Sequence, residues 1–175
     1  MHALVPVLTH GDAGESLWFG GGLLTFKVTS AQSGGAFLMF EHSAARGKPT
    51  PLHIHPDHDE TCYVLEGELL MHLDGVEHTA GPGATVCIPR GVPHAMLVTS
   101  EVERSIWVVT PGEVMEAFFA KAGRLRRAGR CHHLKLTSHG FLRPARAQAR
   151  CRCLDLLPSL DRRLMCAIWE EVETG

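Results

Sequence analysis

Between about residue 16 and residue 110, apolar residues recur in short runs and not with the spacing of a helix. The runs are four to nine residues long, rich in Val, Leu, Phe and Thr, and bounded by Gly, Pro, Asp or Ser; examples are SLWF, LLTFKVTS, GAFLMFEHS, TCYVLEGEL and RSIWVVT. Because no helical period interrupts them, we expect strands to pair with strands in an antiparallel sandwich or small barrel. Asp74-Gly75 in LDGVEH suits the positive φ angles of a two-residue hairpin turn.

A helical pattern begins only after this stretch. Thr110 and Glu113 have the spacing of a capping box, with Pro111 at the first helical position. The helix is predicted to run to about Ala122 and to end at Gly123. Its apolar face, which we expect to pack onto the outside of the barrel, consists of Val114, Met115, Phe118 and Phe119.

Charge divides the chain near Gly123. Residues 1–122 contain fourteen Asp and Glu against six Lys and Arg, whereas residues 123–175 contain five against eleven. We therefore expect a barrel with a closing helix over 1–122 and a basic tail over 123–175. The tail shows no period until Ser159, which is a suitable N-cap for a final amphipathic helix. The apolar face of that helix would consist of Leu160, Leu164, Met165, Ile168 and Trp169.

Three other interpretations of the tail stay open. One is a tetrahedral zinc site with ligands from among Cys131, His132, His133, His139, Cys151 and Cys153. The spacings of these residues match no standard pairing of zinc ligands. The second is contact with nucleic acid or an anionic membrane through Arg124, Arg126, Arg127 and Arg130. The simpler interpretation of these arginines is a solvated basic segment. The third is a frame-shifted translation of GC-rich DNA, since Arg, Ala, Pro, Gly and Cys dominate the tail.

Overall composition is that of a globular protein, with 45% hydrophobic and 21% charged residues. The net charge of −2 gives no reason to expect nucleic-acid binding by the whole chain. The first residues lack the basic and apolar regions of a signal peptide, and no run reaches the ~18 apolar residues of a membrane span. We expect a cytoplasmic protein without membrane partners, whose six cysteines are mostly reduced.

Histidine is abundant, with twelve in 175 residues, and several cluster with a carboxylate in HIHPDHDE. Side chains two apart on a strand share a face, so His53 and His55 can converge on one ion. Glu60 opens the next strand and can add an oxygen, while His94 begins a later one. Three imidazoles and a carboxylate suit Fe, Ni, Cu, Zn or Mn better than Ca or Mg. The sequence therefore predicts one divalent transition metal.

The two blocks around these residues resemble the motifs of the cupin superfamily. The first motif, G-x5-H-x-H-x3-4-E-x6-G, is met at each fixed position by Gly47, His53, His55, Glu60 and Gly67. The second, G-x5-P-x-G-x2-H-x3-N, is met by Gly83, Pro89, Gly91 and His94. Val98 replaces its final Asn, a departure that affects hydrogen bonding around the ligands and not the ligands themselves.

This resemblance covers about residues 15–122 and implies an all-β fold, a small double-stranded β-helix or jelly-roll barrel, with the metal inside near one mouth. Carried over residue by residue, it makes His53, His55, Glu60 and His94 the metal ligands. Pairing of such barrels through sheet edges into a homodimer is plausible from the same resemblance.

Other residues are assigned by their positions in the predicted strands. His58 could replace Glu60 or His55 as a ligand, but a solvated loop residue is the simpler interpretation. His72 and His78 flank a hairpin and are expected on the surface. Six side chains are expected in the core or in the wall of a substrate pocket: Phe40, Cys62, Tyr63, Met71, Met96 and Trp107.

Within the cupins, the blocks and the TPGEVMEAFF helix look like the single-domain quercetin 2,3-dioxygenase-like group. That resemblance implies cleavage of a flavonol-like aromatic substrate by O₂, with Glu60 as both ligand and catalytic base. The apolar lining, without a cluster of Arg and Lys, also favours a hydrophobic or aromatic small molecule. Two alternatives stay open: a non-catalytic small-molecule-binding or sensor cupin, and a metal-dependent isomerase or epimerase, which would need polar pocket residues.

Overall fold

The computed structural model describes residues 5–11 and 13–125. The predictions for the zinc site, the basic cluster beyond Arg124 and the terminal amphipathic helix lie outside these residues. Eleven strands and one helix make up the described part: β1 Ser16–Phe19, β2 Gly22–Val28, β3 Leu38–Ala45, β4 Pro49–His53, β5 Asp59–Glu66, β6 Leu69–Leu73, β7 Val76–Ala80, β8 Thr85–Ile88, β9 His94–Val98, β10 Val102–Thr110, α1 Glu113–Ala122 and β11 Arg124–Leu125.

The strands form two antiparallel sheets, as the sequence predicts. The larger sheet has seven strands in the order β11-β1-β2-β3-β10-β5-β8, and the smaller has four in the order β4-β9-β6-β7. Non-sequential neighbours such as β3-β10 and β4-β9 show the crossing connections of a jelly roll. The pairing of β11 with β1 carries the larger sheet two residues beyond the predicted boundary at Gly123.

Strict alternation of burial defines the interior. Along β3, Leu38, Phe40, His42 and Ala44 are buried while the residues between them are less so, and β10 alternates in the same way. The apolar centre combines inward side chains of both sheets, among them Val64, Leu69, Met71, Val98 and Val109, all at most 1% exposed. The two sheets therefore face each other across one packed core.

The predicted hairpin is confirmed at Asp74-Gly75. Leu73 of β6 pairs directly with Val76 of β7, which leaves these two residues as the loop. Their φ values of +47° and +86° are those that a two-residue turn of this hand requires.

The helix occupies the predicted span, but its cap and its packing differ from the prediction. Gly112 is the N-cap and contributes no side-chain hydrogen bond, so the predicted Thr110–Glu113 capping box is wrong. Phe119 makes edge-on contacts with Phe19 and Phe40 and also contacts Phe26.

Since Phe26 and Phe40 are buried and contact Phe119, α1 packs on the inner face of β2 and β3 and not on the outside of the barrel as predicted. Met115 and Phe119 are buried, whereas Val114 is 63% exposed and Phe118 is 40% exposed, so only half of the predicted apolar face is buried. Phe118 nevertheless contacts Phe19 edge-on at 5.4 Å. No helix in the described residues is long and apolar enough to cross a bilayer.

Candidate metal centre

Three histidines and a carboxylate meet where β4, β5 and β9 reach the same end of the barrel. His53 ends β4 and pairs with His94 at the start of β9, and Glu60 is the second residue of β5. His55 lies past the end of β4, so it reaches the cluster from a loop and not from the strand that the sequence predicted. The four predicted ligands are nevertheless brought together.

A bulge in β4 explains how His53 points inward. Thr50 pairs with Met96, and His53 pairs with His94, so three positions on β4 oppose two on β9. The extra residue shifts the alternation of side chains by one. Thr50 and His53 therefore both face the interior, although residues three apart on a regular strand would face opposite sides.

The ligand atoms lie within contact of one another. Nε2 of His53 is 3.0 Å from Nε2 of His55, which in turn is 3.3 Å from a Glu60 oxygen. The other Glu60 oxygen is 3.5 Å from Nε2 of His94. Rings of His53 and His94 have centroids 4.1 Å apart.

Backbone carbonyls fix the tautomers of two of these rings. Nδ1 of His53 is 2.7 Å from the carbonyl oxygen of Pro51, and Nδ1 of His94 is 2.9 Å from that of Val92. A carbonyl only accepts, so in each neutral ring Nδ1 carries the proton and Nε2 presents its lone pair to the cluster.

Electrostatics keep the His53 imidazole neutral and the Glu60 carboxylate ionised. Burial, reinforced by the neighbouring His94, lowers the pKa of His53 to about 4. Burial alone would raise the pKa of Glu60, but the close contacts of its carboxylate with the His55 and His94 rings outweigh burial and lower that pKa to about 2. Neutral imidazole and ionised carboxylate are the forms that bind metal.

The donor set fits a bound transition metal. Nε2 of His94 is buried and makes no hydrogen bond to any described residue, and the lone pair of His53 is aimed at another ring nitrogen. Ligands about 2.1 Å from one ion lie roughly 3.0–3.4 Å apart around it, close to the separations found here. One ring nitrogen from each of His53, His55 and His94 lies within 4.8 Å of the other two. A cation at their centre would satisfy the unpaired nitrogens.

His58 is not the solvated residue that the sequence suggested. It is 6% exposed, and its ring lies over His55 with centroids 4.1 Å apart and planes 30° apart. Burial and the neighbouring His55 lower its pKa. With His55 and Glu60 it forms a second group of ligand atoms within 4.8 Å, so the alternative ligand role is geometrically available. His72 is also buried, at 5%, which corrects its predicted surface position, whereas His78 is exposed as expected.

Five of the six predicted pocket residues are buried and one is not. Phe40, Cys62, Met71, Met96 and Trp107 are at most 7% exposed, and Phe40 stacks parallel to Trp107 at 6.5 Å.

Tyr63 follows Cys62 on β5 and points the opposite way, to the outer face, where it is 45% exposed. It therefore does not line the interior. Burial raises the pKa of the Cys62 thiol to about 12.

Sequence reasoning missed a second set of polar side chains inside the barrel. His42 and Glu103 are 3% and 0% exposed and joined by a 2.7 Å contact, and Ser105 is fully buried beside them on β10. On the side of the smaller sheet, Thr50 of β4 and Lys48, which directly precedes β4, are joined by a 2.7 Å hydrogen bond. The signal was present in the alternation of LMFEHSAA and VERSIWVVT, which places a histidine and a carboxylate on apolar faces.

Known proteins share this fold and part of the sequence. A family model described as the cupin domain matches residues 40–111. Quercetin 2,3-dioxygenase of Bacillus subtilis (strain 168) is 29% identical over 119 residues, which are 68% of this chain and 35% of that protein. The chain thus spans about a third of the length of this curated relative.

Two solved structures show the same fold at low identity. An RmlC-like cupin from Shewanella frigidimarina NCIMB 400 aligns with a TM-score of 0.54 and 20% identity, over 65% of this chain and 96% of that one. A predicted oxalate decarboxylase from Thermotoga maritima aligns with a TM-score of 0.54 and 18% identity, over 60% and 99% respectively.

Proposed function

Since residues 40–111 are a cupin domain, we propose that this protein is a metal-dependent cupin enzyme, an O₂-using dioxygenase of a small aromatic substrate. The observation that supports it most is the convergence of three imidazoles and one carboxylate at one end of the barrel. Similarity to a quercetin 2,3-dioxygenase over 119 residues supports the reaction class.

His53, His55, Glu60 and His94 would hold the metal, and His58 stands close enough to replace one of them. The chemistry that a bound ion supplies at such a site is polarisation of a substrate oxygen and, for a redox-active ion, activation of O₂. The protein contributes orientation, since the carbonyls of Pro51 and Val92 hold two of the rings.

Glu60 has a narrower catalytic role than a strong general base. With a pKa of about 2 it is ionised at neutral pH and accepts a hydrogen bond from a substrate hydroxyl. So weak a base removes a proton effectively only from an acidic hydroxyl, such as that of an enol or an activated phenol.

A second candidate, a metal-dependent isomerase or epimerase, is favoured by the buried polar residues His42 and Glu103 and by the half-buried Lys48, since that class needs polar groups in the pocket. A non-catalytic binding or sensor cupin would use the same centre without turnover. Consumption of O₂ separates the dioxygenase from both.

The test is metal analysis of the full chain purified without a histidine tag, paired with oxygen uptake on a flavonol panel. We expect roughly one transition metal per chain, lost more than tenfold in H53A. H78A, which removes an exposed histidine of β7, is the matched control and should retain the metal. Metal-free wild type, or equal loss in the two variants, would refute the metal centre. If no flavonol stimulates O₂ uptake, the dioxygenase assignment fails and the metal centre stands.

A further inference from the structure

His58 is a buried histidine whose ring has a nitrogen without a partner. Its side chain is 6% exposed, and its Nε2 atom is buried and makes no hydrogen bond to any described residue. Buried polar atoms in folded proteins are nearly always paired, so an unpaired one requires an explanation. A nitrogen of a neutral imidazole is a common ligand of transition metals. The surroundings of His58 show whether a metal would be its partner.

His58 lies beside two of the ligands assigned to the metal centre. One ring nitrogen of His58, one of His55 and a carboxylate oxygen of Glu60 lie within 4.8 Å of one another, and we call these three residues the second group. The first group consists of His53, His55 and His94, whose ring nitrogens meet the same limit. Donors about 2.1 Å from one ion are at most about 4.2 Å apart, so small side-chain adjustments would let the second group hold an ion.

The chain segment that carries His58 is tied at both ends to one turn. The carbonyl of His55 accepts a hydrogen bond from the backbone N–H of Gly91 at 2.8 Å. The carboxylate of Asp59 accepts one from the backbone N–H of Arg90 at 2.8 Å and two from its guanidinium group at 2.9 and 3.1 Å. A carboxylate held by both arms of a guanidinium has a fixed geometry. The fold therefore holds His58 in contact with His55 from both sides.

A single atom of His55 faces both groups. Its Nε2 atom is 3.0 Å from Nε2 of His53 and 3.3 Å from Oε1 of Glu60. An imidazole nitrogen has one lone pair, so it binds one ion at a time. The other Glu60 oxygen, Oε2, is 3.5 Å from Nε2 of His94. The two groups are therefore alternative positions for one ion and not a centre for two.

We propose that His55, His58 and Glu60 form a second position for the same divalent transition metal, next to the position that includes His53 and His94. This inference rests on the proposed metal centre. Two imidazoles and one carboxylate are three protein ligands, a number that open metal sites use. The loss expected for H53A remains, because a position with three protein ligands binds more weakly than one with four.

The test measures the Co²⁺ affinity of the full chain after the first position has been removed. Metal-free protein without a histidine tag would be titrated with Co²⁺ against a competing chelator. H53A/H94A keeps all three ligands of the second position, whereas H53A/H58A/H94A keeps two. Even groups that only support a ligand typically contribute tenfold or more to metal affinity. We therefore expect the triple variant to bind Co²⁺ at least about tenfold more weakly than the double variant.

The matched control adds H78A to H53A/H94A. This change removes an exposed histidine of β7 and should leave the Co²⁺ affinity of the double variant unchanged. The visible absorption of bound Co²⁺ is a second measurement, because it depends on the ligands. It should differ between wild type and H53A/H94A and should weaken when His58 is removed. If circular dichroism shows that H53A/H94A is unfolded, H53Q/H94Q replaces it with the same expectation, since glutamine keeps a polar side chain of similar length.

Three results would overturn the inference. Equal Co²⁺ affinity with and without His58 in the folded double variant would do so while the metal centre stands. The same conclusion follows if the folded double variant binds no Co²⁺ although the wild type does. A wild type that binds no Co²⁺ would refute the proposed metal centre, and the second position with it.

Discussion

The buried pair of His42 and Glu103 gives a sharp prediction about stability. Glu103 is fully buried, and its carboxylate accepts a hydrogen bond from the His42 ring, which is itself 3% exposed. The substitution H42L keeps a similar volume but leaves a carboxylate inside the barrel without that donor. Loss of one partner of a buried ion pair or charged hydrogen bond costs about 3–5 kcal/mol.

The charge of Glu103 is the reason for so large an effect, and a second substitution isolates it. E103Q keeps the shape of the side chain and one acceptor oxygen but removes the charge. In this background H42L removes the hydrogen-bond partner of a neutral amide and not of a carboxylate. In the E103Q background we expect H42L to cost only about 1–3 kcal/mol. The difference, about 2 kcal/mol, is the coupling energy between the two side chains.

Urea unfolding of the full chain measures all four proteins of this cycle, with far-ultraviolet circular dichroism and tryptophan fluorescence as independent probes. Coincident transitions with a constant dependence on urea would justify a two-state treatment. Native domains are stable by only about 5–15 kcal/mol, so the H42L effect should be large on this scale. Effects that add to within about 0.5 kcal/mol would show that the contact does not carry the stabilisation assigned to it.

Two further predictions concern ionisation and reactivity. Hydrogen bonds from Arg90 lower the pKa of Asp59 from 3.8 to about 2. The contribution of this contact to stability is therefore present above pH 3.8 and is lost as the pH falls through about 2. In R90A, the pKa of Asp59 measured by NMR titration should return toward 3.8, and an unchanged pKa would contradict the contact. Cys62 is fully buried and its thiol has a pKa of about 12, whereas Cys87 is exposed. In the native protein, Cys62 should therefore resist iodoacetamide while Cys87 reacts, as measured by mass spectrometry of the two peptides. Equal labelling of both cysteines would be inconsistent with the packing.

Much of this architecture could be predicted because strands carry a local signal. Alternation and turn residues gave the strands and the Asp74-Gly75 hairpin, since both depend on neighbouring residues alone. The same alternation should have excluded Tyr63, because adjacent residues Cys62 and Tyr63 cannot both face inward. That error came from treating each residue by its type and not by its place in the period.

Other features depend on contacts that the strand pattern does not encode. His58 is buried, and its ring lies against that of His55 three residues earlier, which the composition of the loop PDHD does not reveal. Lys48 is held beside β9 by the hydrogen bond from Val98, fifty residues later, whereas a lysine after a glycine is typical of a turn. The position of α1 depends on the contacts of Phe119 with Phe19, Phe26 and Phe40, which lie about eighty to one hundred residues earlier.

The bulge in β4 also makes the interior modular for protein engineering. Thr50 precedes it and His53 follows it, so an extra residue separates the upstream part of the strand from the histidine that we propose holds the metal. Replacement of residues 49 and 50 by those of another barrel should leave the imidazoles in place. Deletion of one residue at the bulge should instead turn His53 toward solvent while leaving the upstream residues in place. The two halves of one strand could thus be redesigned independently.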